Sequence, residues 1–406
     1  MIKHKSLVIG KLDAKSFLCI ASLIILTLPR FADSISPSFS ALVNFLKICA
    51  AAYVLLAFIF EKPKVSTFSK IILLYFVYLF IVTLANNVSL MTMIKTYGLN
   101  AASLLLIEII MSSKRSDRIM TFFTNYFLVL LGLNFIQVCL YGLSNTLDQT
   151  YILGMDNRFV LYTLLTVVSC CYLKDRKART YKKYLAYILG FLSVLFTWSV
   201  AAVCIMGLMI LASLYFERKK AKISLNAKLL GIIIIVFSAA LVLFKFHEGF
   251  WPVIESVIHK NSSLSYRTYI WDVGIGILRE NPINLMFGFG FFDVSGILSV
   301  IPYLAAHVIH FHNILVEVIF SGGVVGLLMY LCGLFYIGNG LDQFKKRDRI
   351  LGNQLILVFL GLLSLMAFDV FEYYQVYYVV LILLSYASLP CLEHRSKGIS
   401  EYEKKS

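Results

Sequence analysis

His310-Phe-His-Asn-Ile-Leu-Val-Glu-Val-Ile-Phe-Ser-Gly-Gly-Val-Val-Gly326 is the stretch around which the chain is organised. Two polar residues, His312 and Asn313, open an apolar run that carries a single acid, Glu317, and closes on Gly322, Gly323 and Gly326. An imidazole beside a carboxamide at the start of a hydrophobic helix can accept a proton and orient a hydroxyl at a water boundary. The glycines let a second helix come close. The same residues have a plainer use, because histidine anchors helices at membrane interfaces and Gly-x-x-Gly packs apolar helices together.

The surroundings of this stretch are those of a membrane protein. Of 406 residues, 60% are hydrophobic and 15% charged, and the mean hydropathy is +0.83; soluble domains carry roughly 25% charged residues. The formal charge of +15 would suggest nucleic acid in a soluble chain. Here the lysines and arginines fall in short blocks between apolar runs, the pattern of cytoplasmic loops, so no nucleic-acid partner is expected. The eight cysteines lie in or beside apolar runs with no zinc-type spacing, which indicates neither a disulfide framework nor a metal knuckle. The basic start, with Lys3, Lys5, Lys11 and Lys15, imitates a secretion signal but lacks a small-residue cleavage site, and reads as a retained first span.

A spanning helix needs about 20 mostly apolar residues, and about twelve stretches qualify. They are 15–33, 40–60, 68–87, 91–111, 119–142, 159–173, 184–198, 200–216, 228–246, 312–338, 353–368 and 375–391. The run 184–216 is too long for one crossing and is split at Thr197 to Ser199 as a hairpin. Every second loop is basic: the N-terminus, Lys62 to Lys70, Lys114 to Arg118, Lys174 to Lys183, Arg218 to Lys228, Lys345 to Arg349 and the tail. That alternation puts both termini in the cytoplasm. The expected architecture is an all-α polytopic membrane protein with spans 1–9 in residues 1–246, a large external loop at 247–311, spans 10–12 in 312–391 and a cytoplasmic tail at 392–406.

The external loop is rich in histidine and aromatic residues. Tyr266, Ile270, Val273 and Ile277 fall at helical spacing, which predicts an amphipathic helix along the outer surface, ended by Asn281-Pro282. A glycine-aromatic strip, Phe287-Gly-Phe-Gly-Phe-Phe, follows.

His-Asn, nine residues, Gly, two residues, Gly resembles the signature of the O-antigen ligase and polymerase family of bacterial membrane glycosyltransferases. Leu264-Ser-Tyr-Arg-Thr-Tyr-Ile-Trp, Arg279-Glu-Asn-Pro and Gly288-Phe-Gly-Phe look like the middle of that family's large external loop, which also stands just before the His-Asn helix. Order, spacing and topology agree across 184–391, whereas the first 180 or so residues match only in hydropathy. The resemblance implies a GT-C-like fold and an inverting glycosyl transfer without metal or other cofactor, from undecaprenyl diphosphate at the outer face of the bacterial inner membrane. By motif position, Arg267 is the diphosphate arginine and His312 the catalytic histidine, with Tyr266, Arg279 and Asn313 as neighbouring substrate contacts. Guanidinium suits the task because its planar fork matches phosphate oxygens. One departure is visible: many members carry Ser-Arg-Gly or Ser-Arg-Ala at the outer end of the eighth span, where this chain reads Thr197-Trp-Ser-Val-Ala-Ala, with Val200 in the arginine's place.

Lys47, Lys95, Arg158 and Lys245 fall in outer parts of predicted spans or at their outer ends. They either line an outward cavity that receives phosphate or snorkel to the headgroups. His307, His310 and His312 have a spacing that suggests a metal, but no cysteine or carboxylate stands next to them in the chain, so no metal is expected. Asp369 and Glu372, in the last external turn, either bond acceptor-sugar hydroxyls and hold an arginine or belong to a solvated aromatic belt. Glu317 either orients His312 or is protonated or paired with a basic residue. Trp251, Trp271 and the aromatic strip are candidates for stacking on sugars and for interfacial anchoring.

The leading expectation is a polysaccharide repeat-unit polymerase for O-antigen, capsule or exopolysaccharide, acting on an undecaprenyl-diphosphate-linked glycan, with a chain-length regulator and a flippase as candidate partners. The alternatives are a ligase that moves glycan from the same carrier onto lipid A-core, and a lipid-linked oligosaccharide flippase. Against the flippase stands the lack of an internal repeat.

Overall fold

Short polar side chains set the helix starts. Asp13, Ser36, Ser66, Asp175, Asn226 and Asp348 each accept a backbone N–H two or three residues on, which satisfies a donor that the first turn leaves open. In the computed structural model, residues 13–29, 35–86, 88, 90–141, 151–154, 156–197, 199–218, 223–245, 267–292 and 310–386 are described. The helices are α1 Ala14–Leu26, α2 Pro37–Glu61, α3 Thr67–Ala85, α4 Leu90–Ser112, α5 Ser116–Tyr141, α6 Asp156–Cys170, α7 Arg176–Phe196, α8 Val200–Phe216, α9 Ala227–Phe244, α10 Arg267–Glu280, α11 Pro282–Phe287, α12 Ile314–Arg347, α13 Arg349–Met366 and α14 Gln375–Tyr386.

Each predicted span overlaps one of these helices, and the break between α7 and α8 falls where the sequence places the hairpin. Among the described residues, seven helices, α2 to α5, α9, α12 and α13, are long and apolar enough to cross a membrane. Others are shorter, and α7 opens on Arg176, Lys177, Arg179, Lys182 and Lys183. Large side chains such as Phe45, Ile48, Leu55, Leu56, Ile59 and Phe60 on α2 stand exposed, as they do where lipid rather than water surrounds a helix.

Contacts between loops sort the two ends of the bundle. Lys15 pairs with Glu61 and Lys174 with Asp117, both at 2.6 Å, Asp13 pairs with Arg115, Lys183 with Glu217, and Lys345 donates to the Leu225 carbonyl. The basic segments thus collect at one end. At the other, Leu26 to Leu28, Arg158 and Tyr374 to Val376 line one cavity, the Asn86 amide donates to the Gly288 carbonyl at 3.4 Å, and Lys245 meets Asp272 at 2.6 Å.

α12 is the axis of this arrangement. Its 34 residues extend about 51 Å at roughly 1.5 Å each, more than the about 30 Å of a hydrocarbon core. It is interrupted at Gly323, where φ is 62° and ψ −166°. The interruption frees carbonyls that an apolar environment cannot solvate. The glycine-aromatic strip satisfies them: the Phe289 N–H donates to Phe320 O at 2.9 Å and the Gly290 N–H to Ser321 O at 2.8 Å. The Tyr78 hydroxyl is shared between Gly322 O at 2.9 Å and Phe287 O at 2.8 Å. A Cβ on Gly323 would stand 2.4 Å from the Met286 carbonyl carbon, whereas Gly322 and Gly326 face Tyr75, Tyr78 and Leu79 of α3. The glycines therefore do admit a neighbouring helix, as the sequence suggests, but Gly323 also admits the strip.

Gly323→Ala should lower stability by roughly 1–3 kcal/mol, because that backbone region is nearly closed to other residues and the strip must move. Gly276 on α10 has open space around it, with nothing within 4 Å of where an added Cβ would stand. Melting curves in detergent should show a fall of several degrees for Gly323→Ala and little change for Gly276→Ala; equal curves would contradict the role given to the break.

Candidate active site

Asn313 begins α12. Its Oδ1 accepts the N–H groups of Leu315 at 2.9 Å and Val316 at 3.3 Å, and its Nδ2 donates to Ser238 Oγ on α9 and to Ala367 O after α13, both at 3.0 Å. With 0% exposure it has no face for substrate. A carboxamide before an apolar run is a helix cap, and here it also ties three helices together.

The turn before it is held from several sides. The Phe311 N–H donates to Glu317 Oε2 at 2.8 Å, the Trp271 indole donates to Phe311 O at 2.8 Å, and the Tyr373 hydroxyl donates to Glu317 Oε1. The Phe311 ring fills the hollow left at Gly274, where a Cβ would lie 2.4 Å from it. Glu317 thus fixes the backbone beside His312 rather than the imidazole itself. His312 has φ 54°, a left-handed conformation that costs of order 1–3 kcal/mol in a residue other than glycine. It persists because the bonds on either side determine it.

That conformation places the His312 ring against His310, with centroids 4.1 Å apart, and puts His312 Nδ1 3.6 Å from Asp369 Oδ1. His310 Nε2 lies 3.8 Å from the same oxygen. The His312 N–H donates to His310 Nδ1 at 3.3 Å, which leaves the His310 proton on Nε2, toward Asp369. His310 is enclosed and His312 is 27% exposed, so His312 is the ring that a substrate can reach. Burial, and then repulsion from His312, push His310 down to about 3, so it stays neutral at pH 7. For Asp369, burial favours the acid, but contact with the His312 ring and the fields of the two imidazoles and Arg267 outweigh it and hold the carboxyl well below its usual range. Arg267, at the first turn of α10, is half-buried, and its Nε has no hydrogen-bond partner among the described residues. Burial lowers its affinity for a proton and Asp369 opposes that effect; the guanidinium remains charged.

His312 and Asp369 therefore approach each other, with Arg267 near enough for its charge to act on the carboxylate, whereas other candidates stand apart. Tyr266, Trp251 and His307 lie outside the described residues. Arg279 is exposed in the last turn of α10, Lys95 shares an outward face of α4 with exposed Met91 and Ile94, and Lys245 is engaged by Asp272. Lys47 and Arg158 do line a common cavity. Glu372 is 0% exposed, with Oε1 accepting from Tyr97 at 2.6 Å. Trp271 is fully enclosed and serves as a hydrogen-bond donor to the turn, not as a sugar platform.

The three ligand atoms of His310, His312 and Asp369 lie within 4.8 Å of one another, close enough to hold a metal ion. The carboxylate comes from the loop after α13, remote from the histidines in the chain, so their spacing gives no sign of it. Arg267 stands in the field of the same carboxylate and Arg158 in that of His310, and both positive charges disfavour a cation and favour an anion.

The fold and this cluster define a polytopic helical membrane protein with an imidazole, a carboxylate and a guanidinium gathered at one end of its bundle. Residues 185–331, from within α7 to within α12, match the family model of O-antigen ligase, as the resemblance in sequence anticipates. The match takes in Arg267, His310, His312 and Glu317 and leaves Asp369, Arg158 and Lys47 outside. No curated protein matches the chain.

Burial, with the charge of Glu317, pushes Glu372 up to about 8 from an ordinary 4.5. Between those values the folded chain keeps a proton that the unfolded chain has released, so stability falls as pH rises through the window. Glu372→Gln removes that loss, and its melting temperature should drop less than the native one between pH 5 and 8, or thereabouts. Parallel pH dependences would contradict a neutral Glu372.

Proposed function

We propose that this protein is a polysaccharide repeat-unit polymerase. The family match supports O-antigen ligase or polymerase-type activity in general. The observation that carries the transfer chemistry, common to both, is accessible His312 beside ionised Asp369, with the Arg267 guanidinium acting on the same carboxylate. The positive-inside bias assigns the basic end to the cytoplasm, so this cluster faces outward.

The donor is a growing glycan on undecaprenyl diphosphate, and the acceptor is a hydroxyl on a fresh lipid-linked repeat. The acceptor oxygen attacks the anomeric carbon from the face opposite the diphosphate. The new C–O bond forms as the old one breaks, the hydroxyl proton passes to the His312 imidazole, and undecaprenyl diphosphate departs with the bonding pair. Arg267 offers N–H groups to the phosphate oxygens as their charge grows, which lowers the barrier most where water is sparse. Asp369 stabilises the imidazolium formed in the step and holds the ring in place. With a guanidinium on the anion and a base on the hydroxyl, the step as written uses no metal.

A ligase is the second reading, favoured by the description of the matching family, and it differs only in the acceptor. In a deletion strain, loss of a polymerase leaves single repeats on their normal acceptor, whereas loss of a ligase leaves polymer on the carrier lipid.

Purified protein in detergent, given lipid-linked repeats, should make longer glycans and release undecaprenyl diphosphate. His312→Ala should cut that rate by roughly 100-fold or more, the usual contribution of a general base. Arg267→Ala should cut it similarly, and Arg267→Lys should recover little because the planar fork is lost. Full-length product from His312→Ala would overturn the assignment.

A further inference from the structure

The bend at residues 310–313 enters α12 through the left-handed backbone of His312, with φ 54°, which that residue would not adopt unaided. Two consecutive N–H groups in the bend are taken by side chains close by in the chain. The Phe311 N–H goes to Glu317 Oε2 at 2.8 Å, and the His312 N–H goes to His310 Nδ1 at 3.3 Å. A side-chain acceptor on one residue that takes the N–H two residues on is the pattern of an Asx turn, here with an imidazole nitrogen in place of the usual carbonyl oxygen. His310 therefore does for the His312 backbone what an asparagine at its position would do.

The consequence reaches the ring. His312 Nδ1 is enclosed, has no hydrogen-bond partner among the described residues and lies 3.6 Å from Asp369 Oδ1, which leaves Nε2 for the acceptor proton. The carboxylate oxygen is itself fixed, since it accepts the Val370 N–H at 2.8 Å. The imidazole can therefore stay on Asp369 only while the backbone that carries it keeps its turn. The His310 side chain is 9% exposed, so it offers substrate almost no surface. Burial, then His312 and the fields of Arg158 and Arg267, outweigh Asp369 and keep it neutral at pH 7, so it adds no charge to the site.

We propose that His310 is a positioning residue for the transfer step: its Nδ1 holds the His312 backbone in the left-handed turn and thereby keeps the His312 imidazole on Asp369. This rests on the glycosyl-transfer reading. The His-Asn signature begins at His312 and does not include it. Because His310 acts through His312 and not on the glycan or the diphosphate, its loss displaces the reacting base and leaves binding in place. A displacement of about 1 Å can slow a reaction by 10²-fold, and it does so in kcat with KM spared.

The test uses the full chain in detergent with lipid-linked repeats and three variants. His310→Leu fills space but accepts no hydrogen bond, His310→Asn restores the acceptor for the His312 N–H, and His310→Gln carries its amide too far out for that bond but toward Asp369. His310→Leu should lower kcat by roughly 10- to 100-fold with both KM values within about twofold of native. His310→Asn should regain most of the loss, and His310→Gln should be as slow as the leucine variant and takes its place if melting curves show that leucine unfolds the protein. A slow His310→Asn beside a fast His310→Gln would assign the residue to Asp369 instead, and a loss that appears in KM would make it a substrate contact; either overturns the proposal. A second readout needs no turnover: carbethoxylation of His312 by diethyl pyrocarbonate, followed by mass spectrometry of its peptide. It should run several-fold faster in His310→Leu and His310→Gln than in the native protein or His310→Asn, because the ring is released, and equal rates would overturn the proposal. Transfer surviving His312→Ala would refute the transfer reading, while the carbethoxylation rates would still decide whether His310 holds the ring.

Discussion

Backbone that leaves a helix inside an apolar bundle must find hydrogen-bond partners within the protein, and this constraint shapes everything near the site. It acts twice on one helix. At the Gly323 break, the strip Phe287 to Phe291 and Tyr78 take the freed carbonyls, which fixes α10 and α11 against α12. At the start of the helix, Asn313, Glu317 and Trp271 take the polar groups of a turn that would otherwise unwind. The left-handed backbone of His312 is a product of that closure, and the ring's position against Asp369 follows from it.

The charge pattern completes this frame. Ion pairs among the basic segments gather one end of the bundle, and the functional groups gather at the other. Those groups divide into two kinds. Asn313, Glu317, Glu372 and Trp271 are enclosed, with their bonds directed into the protein. His312 keeps an exposed edge and Arg267 an Nε with no hydrogen-bond partner among the described residues, and they carry the proposed chemistry.

The helices are legible in the sequence because apolar run length and basic-loop alternation are local signals. Even the split of 184–216 at Thr197 to Ser199 follows from length alone. Arg267 and His312 are legible through family motifs, not through spacing. Asp369 is not linked to the histidines by any pattern, since no periodicity encodes the approach of a loop from another part of the chain. Asn313 admits two readings: next to a histidine it looks like chemistry, yet its place before an apolar run is equally the signal of a cap. Lys47 and Lys95 look alike in sequence because their helices are apolar all round. Only helix packing distinguishes the inward lysine from the outward one.

The central claim is that His312 and Asp369 act as one unit at the transfer step. A double-mutant cycle on the single-turnover rate of glycan transfer, with His312→Ala, Asp369→Asn and the pair, measures it most directly. Asp369→Asn should slow the native protein strongly but add almost nothing once His312 is gone. Fully additive losses would show that the carboxylate acts independently of the imidazole and contradict the account.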